Sequence, residues 1–181
     1  MGLAHNPNVV TDGLIGCWDA ANKRSYPPGA GTTWTDLAGS NSATLVNNTT
    51  FADVSLGAIA LDGTDDSVTV PIIDGQNGFS FSIWLYFDEV PTNDYTTFSI
   101  YNGGGATTVG NYKLYFNGQV TDTNLVENFG GGGNQDPMKW GQDASCAGDL
   151  NGYMCHIAFY DRALTATEVL QNYNATKGRF T

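Results

Sequence analysis

No run of 18 apolar residues occurs in the chain, which leaves no segment long and apolar enough to cross a bilayer as a helix. No basic-then-apolar stretch precedes the opening Met1-Gly2-Leu3-Ala4-His5, so the sequence reads as one without a secretory leader. Positive charge is scarce. Seven Lys and Arg face 18 Asp and Glu, a formal net charge of -11, and a surface of that sign repels a phosphate backbone before any contact forms. Nucleic acid is thereby excluded as a partner. Only three cysteines are present, and Cys17, Cys146 and Cys155 cannot all pair. Cys17 and Cys155 fall in apolar segments, where a thiol acts as a small buried hydrophobe, so free thiols made in a reducing cytoplasm are expected. The two histidines, His5 and His156, are isolated, and Cys146 lacks a Cys or His at zinc spacing, which speaks against a transition-metal site.

What is abundant points one way. Charged residues are 14% of the chain, 23 residues are Gly, and much of the rest is Thr, Asn and Ser, the composition of many turns joining short polar-faced strands rather than of a helical bundle. A chain of 181 residues fits one domain. Apolar residues recur mainly with period two. In residues 79–87, Phe79, Phe81, Ile83, Leu85 and Phe87 share one face and Ser80, Ser82, Trp84 and Tyr86 the other. Residues 14–19, 58–61, 67–70, 97–101, 112–116 and 153–160 read as further strands, with turns expected at Asp62-Gly63, Asn102-Gly103, Asn117-Gly118 and Asn151-Gly152. Phe79, Phe81, Ile83, Leu114, Phe116, Ile157 and Phe159 are expected to meet in one core. Thr165-Ala166-Thr167-Glu168 is a capping box that starts a helix ending near Lys177-Gly178, with Leu164 and Val169 as a hydrophobic staple and Val169, Leu170 and Tyr173 as its apolar stripe. Residues 1–11 lack periodicity and read as an N-terminal arm, and residues 12–181 as the domain.

The chain resembles the concanavalin A-like (laminin G-like) jelly-roll domains, especially those carried by bacteriophage virion proteins. The residues that carry the resemblance are Asp12-Gly13-Leu14-Ile15-Gly16-Cys17-Trp18-Asp19-Ala20, Ser25-Tyr26-Pro27, and Thr32-Thr33-Trp34-Thr35-Asp36-Leu37-Ala38-Gly39-Ser40-Asn41. They continue with Leu61-Asp62-Gly63-Thr64-Asp65-Asp66-Ser67-Val68, Phe79-Ser80-Phe81-Ser82-Ile83-Trp84, Leu114-Tyr115-Phe116-Asn117-Gly118 and Asn151-Gly152. The last are Phe159-Tyr160-Asp161-Arg162-Ala163-Leu164-Thr165 and Glu168-Val169-Leu170-Gln171-Asn172-Tyr173-Asn174. The resemblance implies an all-β fold: two antiparallel sheets packed face to face as a jelly-roll sandwich, first and last strands adjacent, and a short C-terminal helix on the outside. It departs from the family between residues 101 and 112, where a polar, glycine-rich stretch replaces one or two expected strands on the concave face. Relatives often hold a glycan there.

Retaining glycoside hydrolysis needs two carboxyls about 5 Å apart on one face. Glu89, Glu127 and Glu168 have no acid two residues away, and Asp65-Asp66 and Asp88-Glu89 are adjacent pairs that diverge in a strand. Cys155 and His156 diverge for the same reason, so no activated thiol is expected and the chain reads as no enzyme. Asp62, Asp65 and Asp66 gather oxygen in one turn; an Asx-rich turn that binds its own amides is favoured over a calcium site, calcium being the one cofactor these residues suit. Sugar recognition asks for an aromatic plate flanked by amides and carboxylates. Tyr95, Tyr101, Trp140, Gln142 and Asp143 fit that description, while Trp18, Trp34 and Trp84 lie in fold motifs and read as core.

A chain beginning at Met1 and ending just past the helix reads as one free-standing jelly roll. With its acidity, free thiols and resemblance, the expected role is a virion structural protein, a capsid decoration or fibre-associated part made in a host cytoplasm and displayed on the particle surface. Its partners would be the major capsid protein or other virion proteins, cell-surface glycans and copies of itself, with no nucleic acid and no membrane. The alternative is an independent carbohydrate-binding or adhesion protein. Fold alone does not choose between them.

Overall fold

A computed structural model of the chain describes residues 8–54, 56–71, 79–88, 98–99, 107–130, 138–142 and 149–180. Twelve strands are assigned among them, in order β1 (Leu14–Asp19), β2 (Thr33–Trp34), β3 (Ala43–Val46), β4 (Thr50–Ala52), β5 (Ala58–Asp62), β6 (Ser67–Val70), β7 (Ser80–Phe87), β8 (Phe98–Ser99), β9 (Thr107–Phe116), β10 (Gln119–Gly130), β11 (Met138–Trp140) and β12 (Asn151–Tyr160). Helix α1 (Ala166–Thr176) follows, with a single 3-10 turn at Lys177–Arg179.

Strand β12 is the axis of the first sheet. Along one side runs β7, from Tyr160↔Ser80 to Gly152↔Phe87. The other side is shared end to end by β1, which pairs residues 156–160, and β5, which pairs residues 151–154, and β4 continues outward from β5. The first and last strands are neighbours, as the resemblance implies. The second sheet has the order β2-β3-β6-β11-β8, and every pair in both sheets is antiparallel. The protein is thus an antiparallel two-sheet jelly-roll sandwich with one short helix.

The core lies between the sheets. Trp18, Ile59, Leu61, Met154, Ile157 and Phe159 of the first face Trp34, Leu45, Val68, Val70, Met138 and Trp140 of the second. Residues 154–160 of β12 are buried on both faces, which is why the sequence there is almost continuously apolar instead of alternating. One face meets the core. The other lies under α1 and residues 8–10, where Val10, Ala158 and Tyr160 form a second cluster. A bulge between Met154 and His156 in the pairing with β7 switches which residues point inward.

Several expectations need correction. Phe81 and Phe116 were placed in the core, yet they are 41% and 69% exposed. Phe81 stacks on Phe159 with ring centroids 5.9 Å apart and stays at the edge of the core. Phe116 sits at the tip of the β9–β10 hairpin, which belongs to neither sheet, so it lies outside the core between them. Ile83 packs against the core and Ile157 and Phe159 are buried, as expected; Phe79 is half-buried, and the Leu114 side chain lies outside the described residues. Asn117-Gly118 is the expected hairpin turn, both residues having positive φ (50° and 73°) as a type I′ turn requires. Asn151-Gly152 is not a turn but the start of β12. A Cβ on Gly152 would lie 2.1 Å from the Tyr86 carbonyl oxygen, so glycine is needed for the close strand approach.

The capping box is present in both directions: Thr165 Oγ1 accepts from the Glu168 amide and Glu168 Oε2 accepts from the Thr165 amide. The apolar stripe is corrected in detail. Leu170 is exposed, and the residues α1 buries are polar, Asn172 and Thr176. They are satisfied where they sit. Asn172 accepts from the Val10 amide and donates to the Tyr160 hydroxyl, which bonds the Val10 carbonyl; Thr176 accepts from the Trp84 indole. Residues 8–10, read as part of the arm, are therefore tied to the domain.

Candidate functional site

Of the residues expected to meet a sugar, Tyr95, Tyr101 and Asp143 lie outside the described residues. Trp140 is not at the surface. It is fully buried in β11, edge-on to Trp18 at 5.1 Å and stacked over Phe159 at 6.2 Å, so neither ring face is available to a ligand. The signal for this was the alternation Met138-Lys139-Trp140, inward-outward-inward, hidden by the brevity of the strand. Gln142 is half-buried beside it.

Asp62, Asp65 and Asp66 do come together, each offering a carboxylate oxygen within 4.8 Å of the others. Half of their six oxygens are already engaged. Asp66 accepts from the Asn48 amide on one oxygen and the Asp62 amide on the other, while Asp62 Oδ1 accepts from Thr64 and Asp65. Burial, then the charge of Asp62, pushes the Asp66 carboxyl up. Asp62 Oδ2 and the two Asp65 oxygens could hold a hard cation, three donors where calcium takes six to eight.

Cys17 Sγ lies 3.7 Å from His156 Nε2, a contact the sequence did not disclose because the partners are 139 residues apart. Antiparallel pairing of β1 with β12 brings them to one face. Burial, reinforced by Asp19 and Asp36, pushes the thiol up to about 12, and burial holds the imidazole down to about 4. Both groups are neutral near pH 7. The contact joins a thiol and an imidazole rather than a thiolate–imidazolium pair, so it lacks the activation a nucleophile needs.

The outer face of the first sheet offers two clefts. Helix α1 and Phe180 cover it at Trp84, stacked on Tyr173 at 5.7 Å, and Tyr86 lies further along the same face. There Tyr86 and Tyr153 are cross-strand partners with ring centroids 5.8 Å apart, tilted by 48°. Tyr86 is 58% exposed. With Val54, Asp88 and Cys155 they line a cleft of 270 Å³. Burial pushes the Cys155 thiol up to about 11, so it is an apolar wall. The sequence had assigned Tyr86 to the face opposite the core, which was the available signal for this site.

The second cleft, of 460 Å³, is lined by Asp19, Ala21, Asn22, Lys23, Leu56 and Arg179. Asp19 and Arg179 meet in a bidentate pair at 2.7 and 2.8 Å. The turn closed by Gly57 N–H to Val54 O stands between the clefts, Val54 lining one and Leu56 the other. Leu56 is 71% exposed and held at φ 69°, a conformation a branched side chain rarely adopts.

No family model matches the chain, and no curated protein matches it in sequence. Solved structures do match in fold. A Trypanosoma rangeli sialidase in complex with a difluoro-nononic acid superposes with a TM-score of 0.65 at 14% identity, over 99% of this chain and 36% of the sialidase. The same enzyme with the inhibitor DANA gives 0.62 at 13%, over 97% and 36%. Domain 4 of a GH43 extracellular arabinanase from Geobacillus stearothermophilus, in complex with arabinotriose, gives 0.57 at 17%, over 88% of this chain and 98% of that domain. The chain spans about a third of the sialidases' length, and at these identities the likeness establishes the β-sandwich fold. One expectation is corrected: the sequence reads as no enzyme, whereas the solved structures it matches in fold are sialidases and a domain of an arabinanase. Asp65 and Asp66, expected to diverge as strand neighbours, lie in a turn that gathers them with Asp62.

Proposed function

We propose that this chain is a carbohydrate-binding jelly roll whose sugar site is the cleft of Tyr86 and Tyr153. The carrying observation is the tilted tyrosine pair, Tyr86 exposed and Tyr153 half-buried, on a two-strand platform beside the Asp88 carboxylate. Aromatic faces take the apolar side of a pyranose, and phenol and carboxylate oxygens take its hydroxyls. The platform is preorganised, since β7 and β12 pair from Ser80↔Tyr160 to Phe87↔Gly152 with one bulge, and that lowers the ordering cost of binding. The sugar-bound arabinanase domain of similar fold supports the reading.

The test is calorimetry after a glycan array has supplied a ligand. Tyr86→Ala is expected to weaken binding at least tenfold, about 1.4 kcal/mol, with an unchanged urea midpoint. Unaltered affinity overturns the site.

The setting we propose is the surface of a phage particle, with the major capsid protein or another virion protein as neighbour. The ordered run of jelly-roll motifs supports it. Protein counting on purified virions tests it, and absence of the chain from particles overturns it.

A further inference from the structure

We propose that the 460 Å³ cleft beside the tyrosine platform is a subsite for a carboxylate-bearing sugar, so that the glycan recognised is an acidic one. This deepens the glycan-binding reading and rests on it.

Each of its side-chain acceptor oxygens is already engaged. Asp19 Oδ1 takes an Arg179 N–H and the Ala21 amide, Asp19 Oδ2 takes a second Arg179 N–H, and Asn22 Oδ1 takes the Arg24 amide. Its donors are not. Lys23 has no ion-pair partner among the described residues, and the Asn22 side-chain amide nitrogen has no acceptor among them. Arg179 uses two of its five N–H groups on Asp19 and is held flat by that pair and by the Phe180 ring, 4.9 Å from its guanidinium carbon.

Such a cleft presents donors and one net positive charge, in a chain whose formal charge is -11. Its complement is an acceptor-only group. A carboxylate suits it because its two coplanar oxygens match a guanidinium edge and accept from an ammonium, whereas a ligand cation is repelled by the net positive charge. The neighbouring tyrosine cleft lies across the turn carrying Val54 and Leu56, so one oligosaccharide can lay one residue on the tyrosines and set the carboxylate of another against Lys23.

The test uses the full chain and calorimetry with trimers of galacturonate and of mannuronate, each as free acid and as methyl ester, and a sulfated galactose trimer. At least one free acid is expected to bind tenfold or more tighter than its ester. Lys23→Gln is expected to bring the acid down to the level of the ester and leave the ester unchanged. Equal affinity for acid and ester in the native chain, or a preference that survives Lys23→Gln, overturns the inference. Tighter binding of the sulfated trimer overturns the carboxylate assignment. Where the ester binds and responds to Tyr86→Ala but the acid gains nothing, this inference alone fails. If Tyr86→Ala changes neither affinity, the tyrosine reading fails instead, and binding of no trimer overturns both.

Discussion

His156 illustrates what a residue's neighbours add to its identity. The sequence presented an isolated histidine in an apolar strand; the fold buries it beside Cys17, Asp19 and Arg179. Burial dominates over the favourable charge of Asp19 and holds the ring down to about 4, from an ordinary value of 6.5. Between those two values the unfolded chain binds a proton that the folded one does not. Stability from the neutral ring is therefore full above pH 6.5 and lost as pH falls toward 4, by about 3 kcal/mol. Urea denaturation of the native chain and of His156→Gln at pH 7 and pH 4 reads this, because the shared carboxylate effects cancel in the comparison. Equal losses in both proteins would show the ring is not buried neutral. Trp140 is the converse case. Its identity suggested a sugar plate, and only the inward-facing neighbours Trp18, Trp34 and Phe159 show that it is core.

Elements with many residues in phase were legible, and short ones were not. Strand β7 spans eight residues and α1 carries a complete capping box, and both were read within about two residues of their ends. Strands β2, β4 and β11 have two or three residues each, too few for a period to be seen, and they exist because neighbours already in the sheet supply the ladder. Alternation also says which face a residue takes but not whether a layer covers it. Phe159 and Phe81 are cross-strand partners on one face, yet one is 2% and the other 41% exposed. Phe159→Ala is accordingly expected to cost about 3 to 5 kcal/mol and Phe81→Ala about half as much, measured by chemical denaturation. Equal costs would mean that Phe81 is covered after all.

At the scale of the whole molecule, the two ends of the chain close on the same sheet face. Val10 meets Asn172 across 162 residues, and Asp19 meets Arg179 across 160. Sequence motifs named both ends but could not pair them, since nothing in a linear pattern encodes a contact of that span. The Asp19–Arg179 pair is the more telling because its members differ in exposure, the carboxylate side chain being 11% and the guanidinium 31% accessible. Removing the arginine leaves a nearly buried carboxylate without its cation, whereas removing both charges leaves a polar but uncharged site. Arg179→Ala should therefore destabilise by about 1 to 3 kcal/mol, and Arg179→Ala with Asp19→Asn by less than the sum of the single changes. A double-mutant cycle by urea denaturation at pH 7 should give a coupling of about 1 to 2 kcal/mol. Additive effects would mean that the C-terminal turn docks through its aromatic contacts with Trp84 alone, and that the ion pair serves the cleft rather than the closure.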